Sequence, residues 1–110
     1  MCGLTGFLGG TGEKVLLISM GNVLEHRGPD DFGCWYDAAE QIGLAHRRLA
    51  IIDLTAAGHQ PMVSPSGRYV IVFNGEIYNH LDLRRELEEQ GSIHKWRGHS
   101  DTETLLAGFE

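Results

Sequence analysis

Long apolar runs, dense basic runs and cysteine are all scarce in these 110 residues. The apolar stretch at Val15 to Ile18 is far too short to span a bilayer, and no membrane association is expected. Met1 to Gly12 has no basic segment leading into a sustained apolar one, so no secretory leader is expected and the chain is predicted to be cytoplasmic. A formal charge of −6, a pI of about 5.4 and no Lys/Arg cluster exclude a protein that must neutralise many phosphates; nucleic acid is not an expected partner. With only Cys2 and Cys34 and no leader, a reducing compartment is favoured over a disulfide. Neither cysteine has a Cys-x-x-Cys partner, and His26, His46, His59, His80, His94 and His99 show no ligand spacing, so no metal is expected. Repeats, low-complexity tracts and linkers are also missing, which predicts one core and places any domain boundary beyond Glu110.

What is present is an ordinary soluble composition, 42% hydrophobic and 22% charged, with 15 glycines, about twice the usual share. Tight turns and close backbone approaches should follow. Cys2 to Leu8 reads as a short strand closed by Gly9-Gly10. Leu16, Met20, Val23 and Leu24 recur at helical spacing between Glu13 and His26, and Gly28-Pro29 stops that run. Phe32 to Tyr36 and Gln41 to Leu49, split by the polar Asp37 to Glu40, read as antiparallel strands. After a loop with Pro61 and Pro65, the continuously apolar Tyr69 to Phe73 predicts a central strand covered on both faces. Asn79 and Asp82 open a helix that presents Leu83 and Leu87 on one face and ends at Gly91. Ser100 and Glu103 form a capping box ahead of a last helix carrying Leu105, Leu106 and Phe109.

Cys2 stands directly after the initiator methionine, so removal of Met1 leaves a thiol and a free α-amino group on one residue. An amine with an unperturbed pKa of about 8 can take the thiol proton and return it to a leaving group. Taken alone, Cys2 reads as well as a small apolar residue near a terminus. Asn74-Gly75, after the apolar run, reads as a hairpin turn needing positive φ, or as a side-chain amide and a backbone N–H that stabilise an oxyanion. Arg48 could clamp a carboxylate, and period-2 alternation sends Arg47 to the opposite face. Asp101 and Glu76 could hold an ammonium group, although Asp101 also suits the first turn of a helix. His46 and His80 are read as polar packing or turn residues, and Cys34 as a plain strand residue.

Met1-Cys2-Gly3, His26 to Asp30, Ala45 to Asp53, Asn74 to His80 and Ser100-Asp101 together resemble, in order and spacing, the glutaminase domain of asparagine synthetases. The resemblance covers the whole chain. It implies an α+β fold of the N-terminal-nucleophile (Ntn) hydrolase class, an αββα sandwich of antiparallel sheets, present here in truncated form. It implies Cys2 as nucleophile, Asn74 and Gly75 as oxyanion hole, and Arg48 on the glutamine α-carboxylate. Glu76 and Asp101 are implied on its α-ammonium, with Leu49 to Ile52, including Ile51 and Ile52, lining the pocket. Arg27 to Asp30 is implied as a supporting loop. Related glucosamine-forming and purine-pathway amidotransferases share Cys2 and the Asn-Gly pair, but the other segments are of the synthetase type.

The family's glutaminase domain continues past position 110 and an ATP-using synthetase domain normally follows in cis. The resemblance therefore makes residues 1–110 the N-terminal part of that domain. No cofactor is implied for this segment; Mg-ATP belongs to the synthetase part. Glutamine is the implied substrate, a homodimer is compatible with the resemblance, and activity of these residues alone is doubtful. A rival expectation is a non-catalytic glutamine-binding or assembly module that keeps the pocket without turnover.

Overall fold

Leu17 and Ala45, both without solvent exposure, mark where a helix lies against the middle of a sheet. In the computed structural model, which describes residues 2–10, 12–49, 55–91 and 95–110, that sheet has three strands. They are β1 (Gly3–Leu8), β2 (Asp31–Asp37) and β3 (Ile42–Arg48), with β3 in the centre and antiparallel to both neighbours. Gly3 faces Arg47 across β1 and β3, and Asp31 faces Arg48 across β2 and β3. The meander read from the sequence is therefore present, closed by the turn at Asp37, whose carboxylate accepts from the Ala39 and Glu40 N–H groups.

The helix on this sheet, α1 (Lys14–Asn22), is shorter than the sequence suggested, and a separate 3-10 turn covers Glu25–Arg27. Its buried face is also rotated from the expected one. Leu17 and Gly21 face the sheet, while Leu16 is 48% and Val23 73% exposed. Val15 to Ile18 are all apolar, so periodicity could not choose among them; the Phe32 ring, lying against Gly21, sets the rotation. Arg47 stacks on that ring at 4.2 Å and closes the helix end by donating to the Gly21 carbonyl and to Asn22 Oδ1.

A second, two-stranded antiparallel sheet joins β4 (Met62–Val63) and β5 (Val70–Ile71). This corrects the expectation of a central, doubly covered strand at Tyr69 to Phe73. All five of those residues are only half-buried, because β5 pairs with β4 alone among the described residues. An apolar run sets the tendency to be buried, and neighbours must supply the cover.

Two helices complete the described chain, α2 (His80–Glu89) and α3 (Asp101–Phe109). Gly91 ends α2 at φ +73°, as expected of a left-handed cap, and Ser100 Oγ accepts the Glu103 N–H at 3.2 Å to open α3. Asp101 to Thr104, Leu106 and Ala107 are buried, whereas Phe109 is 65% exposed, with its ring tilted against that of Tyr69. No helix among the described residues is long and apolar enough to cross a membrane.

Candidate active site

Cys2 precedes β1, and its position is fixed from three directions. Its Sγ accepts the Leu49 N–H at 3.3 Å, just past the end of β3. Its carbonyl accepts from Arg27 Nε at 3.1 Å and from Asn74 Nδ2 at 2.9 Å. Arg27 reaches it because the Arg27 to Asp30 loop lies against the end of β3, where the Asp30 N–H bonds the Arg48 carbonyl. Gly28 is required at that contact: a Cβ there would stand 2.4 Å from the Arg47 carbonyl carbon. The supporting loop implied by the resemblance thus has a physical task, holding the backbone of Cys2.

The strand alternation resolves the two arginines as expected. Arg47 turns to α1, and Arg48, 9% exposed, lines a cleft of about 110 Å³ together with Cys2 and Leu49. One of its guanidinium donors bonds the Thr55 carbonyl at 2.8 Å, which fixes the planar group from behind. Gly75, Glu76 and Asp101 line the same cleft. Ile51 and Ile52 lie outside the described residues.

Asn74-Gly75 does not form the hairpin turn that was one reading of it. The following residues are not a strand, and Gly75 is not among the positive-φ glycines. Its lack of a side chain makes room instead: a Cβ would meet the Phe73 ring at 2.8 Å. Asn74 is not among the residues lining the cleft; its amide nitrogen donates to the Cys2 carbonyl, and a second hydrogen on that nitrogen is not needed for this bond. Asp101 takes the helix-start reading and also lines the cleft. It is the first residue of α3, and its Oδ2 accepts the Ile77 N–H at 2.8 Å, tying the helix start to the segment after Gly75-Glu76.

Lining residues that the sequence did not single out for the site include His46, Gln60 and Thr102. His46 is 1% exposed and its Nε2 lies 3.2 Å from the Phe73 carbonyl. Burial, then the Arg48 and His59 charges, pushes its pKa below the ordinary 6.5 against the opposing Phe73 bond and Asp31. The signal for it was available, since positions 46 and 48 of one strand share a face. Gln60 and Thr102 gave no signal: buried Gln60 accepts the Phe73 N–H at 2.6 Å and donates to Thr102 Oγ1 at 3.1 Å. Near the mouth, His59 Nδ1 and Asp31 Oδ2 pair at 2.5 Å.

A guanidinium and the Glu76 and Asp101 carboxylates line the same cleft as the Cys2 thiol, a charge set that complements a zwitterion with one carboxylate and one ammonium group. Such an arrangement suits nucleophilic attack on a carbonyl of an amino-acid-like ligand.

A model of the glutamine amidotransferase domain matches residues 1–110. Among curated proteins, the chain is 43% identical to asparagine synthetase (glutamine-hydrolyzing) 1 of Bacillus subtilis over 99% of its own length and 17% of the relative's. It is 38% identical to asparagine synthetase (glutamine-hydrolyzing) 1 of Arabidopsis thaliana over 100% of its length and 18% of that protein. Amidase chry2 of Gibberella zeae is 33% identical, again with 18% of its length spanned. The chain thus spans less than a fifth of the curated relatives it matches.

Proposed function

The chain belongs to the glutamine amidotransferase domain family, and on that premise we propose that it hydrolyses glutamine to glutamate and ammonia with Cys2 as nucleophile. The observation that carries this reading is the meeting of Cys2, Arg48, Gly75, Glu76 and Asp101, from well-separated parts of the sequence, around one cleft. Removal of Met1 gives Cys2 a free amine, which takes the thiol proton as sulfur attacks the side-chain amide carbon. The oxyanion is held by Asn74 Nδ2 and the Gly75 N–H. The amine returns the proton to the departing nitrogen, ammonia leaves, and water attacks the glutamyl thioester to give glutamate and free thiol. Arg48 holds the α-carboxylate, Glu76 and Asp101 the α-ammonium, and Leu49 lines the pocket.

In the same reading, residues 1–110 are the N-terminal part of a cytoplasmic glutaminase domain that supplies ammonia to a synthetase part in cis. Mg-ATP belongs to that part, and no step above is routed through it. The three-stranded sheet with α1 on one face is read as one half of an αββα sandwich of the Ntn class. Supporting this, Leu4 pairs with His46 in register and so shares the face away from α1, where it is 43% exposed and Leu8 81%. The molecule is 18 Å thin along its shortest axis.

The decisive test is glutamate release by full-length protein. Cys2→Ala is expected to abolish it, and a thiol-directed glutamine analogue should label Cys2 rather than Cys34. Unchanged turnover in Cys2→Ala would sink the reading. Retained Met1 by N-terminal mass spectrometry, with glutamine bound but not hydrolysed, would favour a binding module.

A further inference from the structure

Asn74 and Gly75 are exposed, so their own burial does not hold them at the thiol. The residue before them is held instead. The Phe73 N–H bonds Gln60 Oε1 at 2.6 Å, and the Phe73 carbonyl lies 3.2 Å from His46 Nε2. We propose that His46 is a positioning residue for the oxyanion-stabilising Asn74-Gly75 segment, its imidazole fixing the plane of the Phe73–Asn74 peptide. The inference deepens the glutaminase reading and rests on it.

A carbonyl oxygen can only accept, so Nε2 must carry the hydrogen in this contact. The other ring nitrogen, Nδ1, is buried without a hydrogen-bond partner among the described residues, which fits the unprotonated nitrogen of that tautomer. The Phe73 carbonyl and the Asn74 N–H belong to one rigid peptide unit, so holding the oxygen sets the position of the Asn74 Cα, from which the side-chain amide extends to Cys2. That position matters because Asn74 Nδ2 sits 2.9 Å from the carbonyl of Cys2, the proposed nucleophile. His46 is well placed for this work. It sits on β3, paired on both sides, and shares a face with Arg48, so the platform that binds the ligand also aims the oxyanion donors.

The test compares His46→Gln, whose Nε2 can still donate to the Phe73 carbonyl, with His46→Leu, which cannot, in the full-length protein beside wild type and Cys2→Ala. Glutamine hydrolysis gives kcat and KM, and the rate of Cys2 alkylation by iodoacetamide, read by peptide mass, reports the thiol without needing an oxyanion hole. His46→Gln should stay within about 3-fold of wild type in both constants. His46→Leu should lose kcat by about tenfold or more with KM and alkylation nearly unchanged, since small misplacements cost rate rather than binding. Leucine at the wild-type kcat, a loss confined to KM, or equal losses in two folded variants would overturn the inference. Should His46→Leu not fold, His46→Gln decides: retained kcat supports the inference, and a tenfold loss in a folded variant overturns it. Wild type no more active than Cys2→Ala would instead overturn the glutaminase reading itself, and this inference with it.

Discussion

The roles proposed for Arg48, in binding, and for Asn74, in rate, predict that substitution separates the two. Arg48→Ala removes charge-assisted bonds to a carboxylate worth about 1.5–3 kcal/mol, so KM for glutamine should rise about 10- to 100-fold. Asn74→Ala removes one oxyanion donor, so kcat should fall about 10²–10³-fold with a smaller change in KM. Steady-state glutamate release measures both. His46 adds a pH signature. Its folded-state pKa lies below the ordinary 6.5, so below that value the unfolded chain takes up a proton that the folded one refuses. Stability present above pH 6.5 is therefore lost as pH falls from there towards the folded pKa, by up to about 1.4 kcal/mol per pH unit. Urea melts across that range should be flatter for His46→Gln; an identical slope would show that another group carries the effect. Cys2 and the Asn-Gly pair were legible because their residue types are chemically specific. Gln60 was not, since a buried glutamine between Phe73 and Thr102 is defined only by partners 13 and 42 positions away.

At the scale of elements, α2 and α3 are joined less by an apolar stripe than by a buried arginine. Arg84 is 7% exposed and donates to Thr104 Oγ1 and to the Gly98 and Ser100 carbonyls, each at 2.8 Å. Glu103, 5% exposed, lies 3.7 Å from it and accepts the Arg97 and Gly98 N–H groups. The Trp96 ring covers the guanidinium at 4.1 Å. Because these bonds hold the start of α3, they also hold Asp101 at the cleft. Arg84→Met should cost about 3 kcal/mol, measured by chemical denaturation, by removing the donors to Thr104 Oγ1 and the Gly98 and Ser100 carbonyls and one of the two cations, with Arg97, beside the buried Glu103 carboxylate. The capping pattern at Ser100 and Glu103 foretold where α3 begins. It did not foretell that Glu103 is an interior acceptor, because charge spacing along a helix carries no information about which neighbours enclose it.

The whole molecule is flat. Its radius of gyration is 14.5 Å, against about 13 Å expected for a chain of this length, and Leu8, Val15 and Val23 are each more than two-thirds exposed. A chain of residues 1–110 made alone should therefore self-associate. Light scattering after size exclusion should give a mass above 12.2 kDa, lowered towards it by Leu8→Lys with Val15→Lys. A monodisperse monomer without those substitutions would show that the exposed apolar faces do not associate.

Residue chemistry and local pattern determined much by themselves. The thiol at position 2, the Arg47/Arg48 alternation, the caps at Gly91 and Ser100 and the antiparallel meander follow from neighbours close in the chain. The tertiary structure decided which apolar face of α1 is buried, how little of Tyr69 to Phe73 is covered, and that His46 and Gln60 grip Phe73. The physical reason is one of range: propensity and periodicity act over a few residues, whereas burial and the pairing of polar groups are settled by segments that meet only when the chain folds.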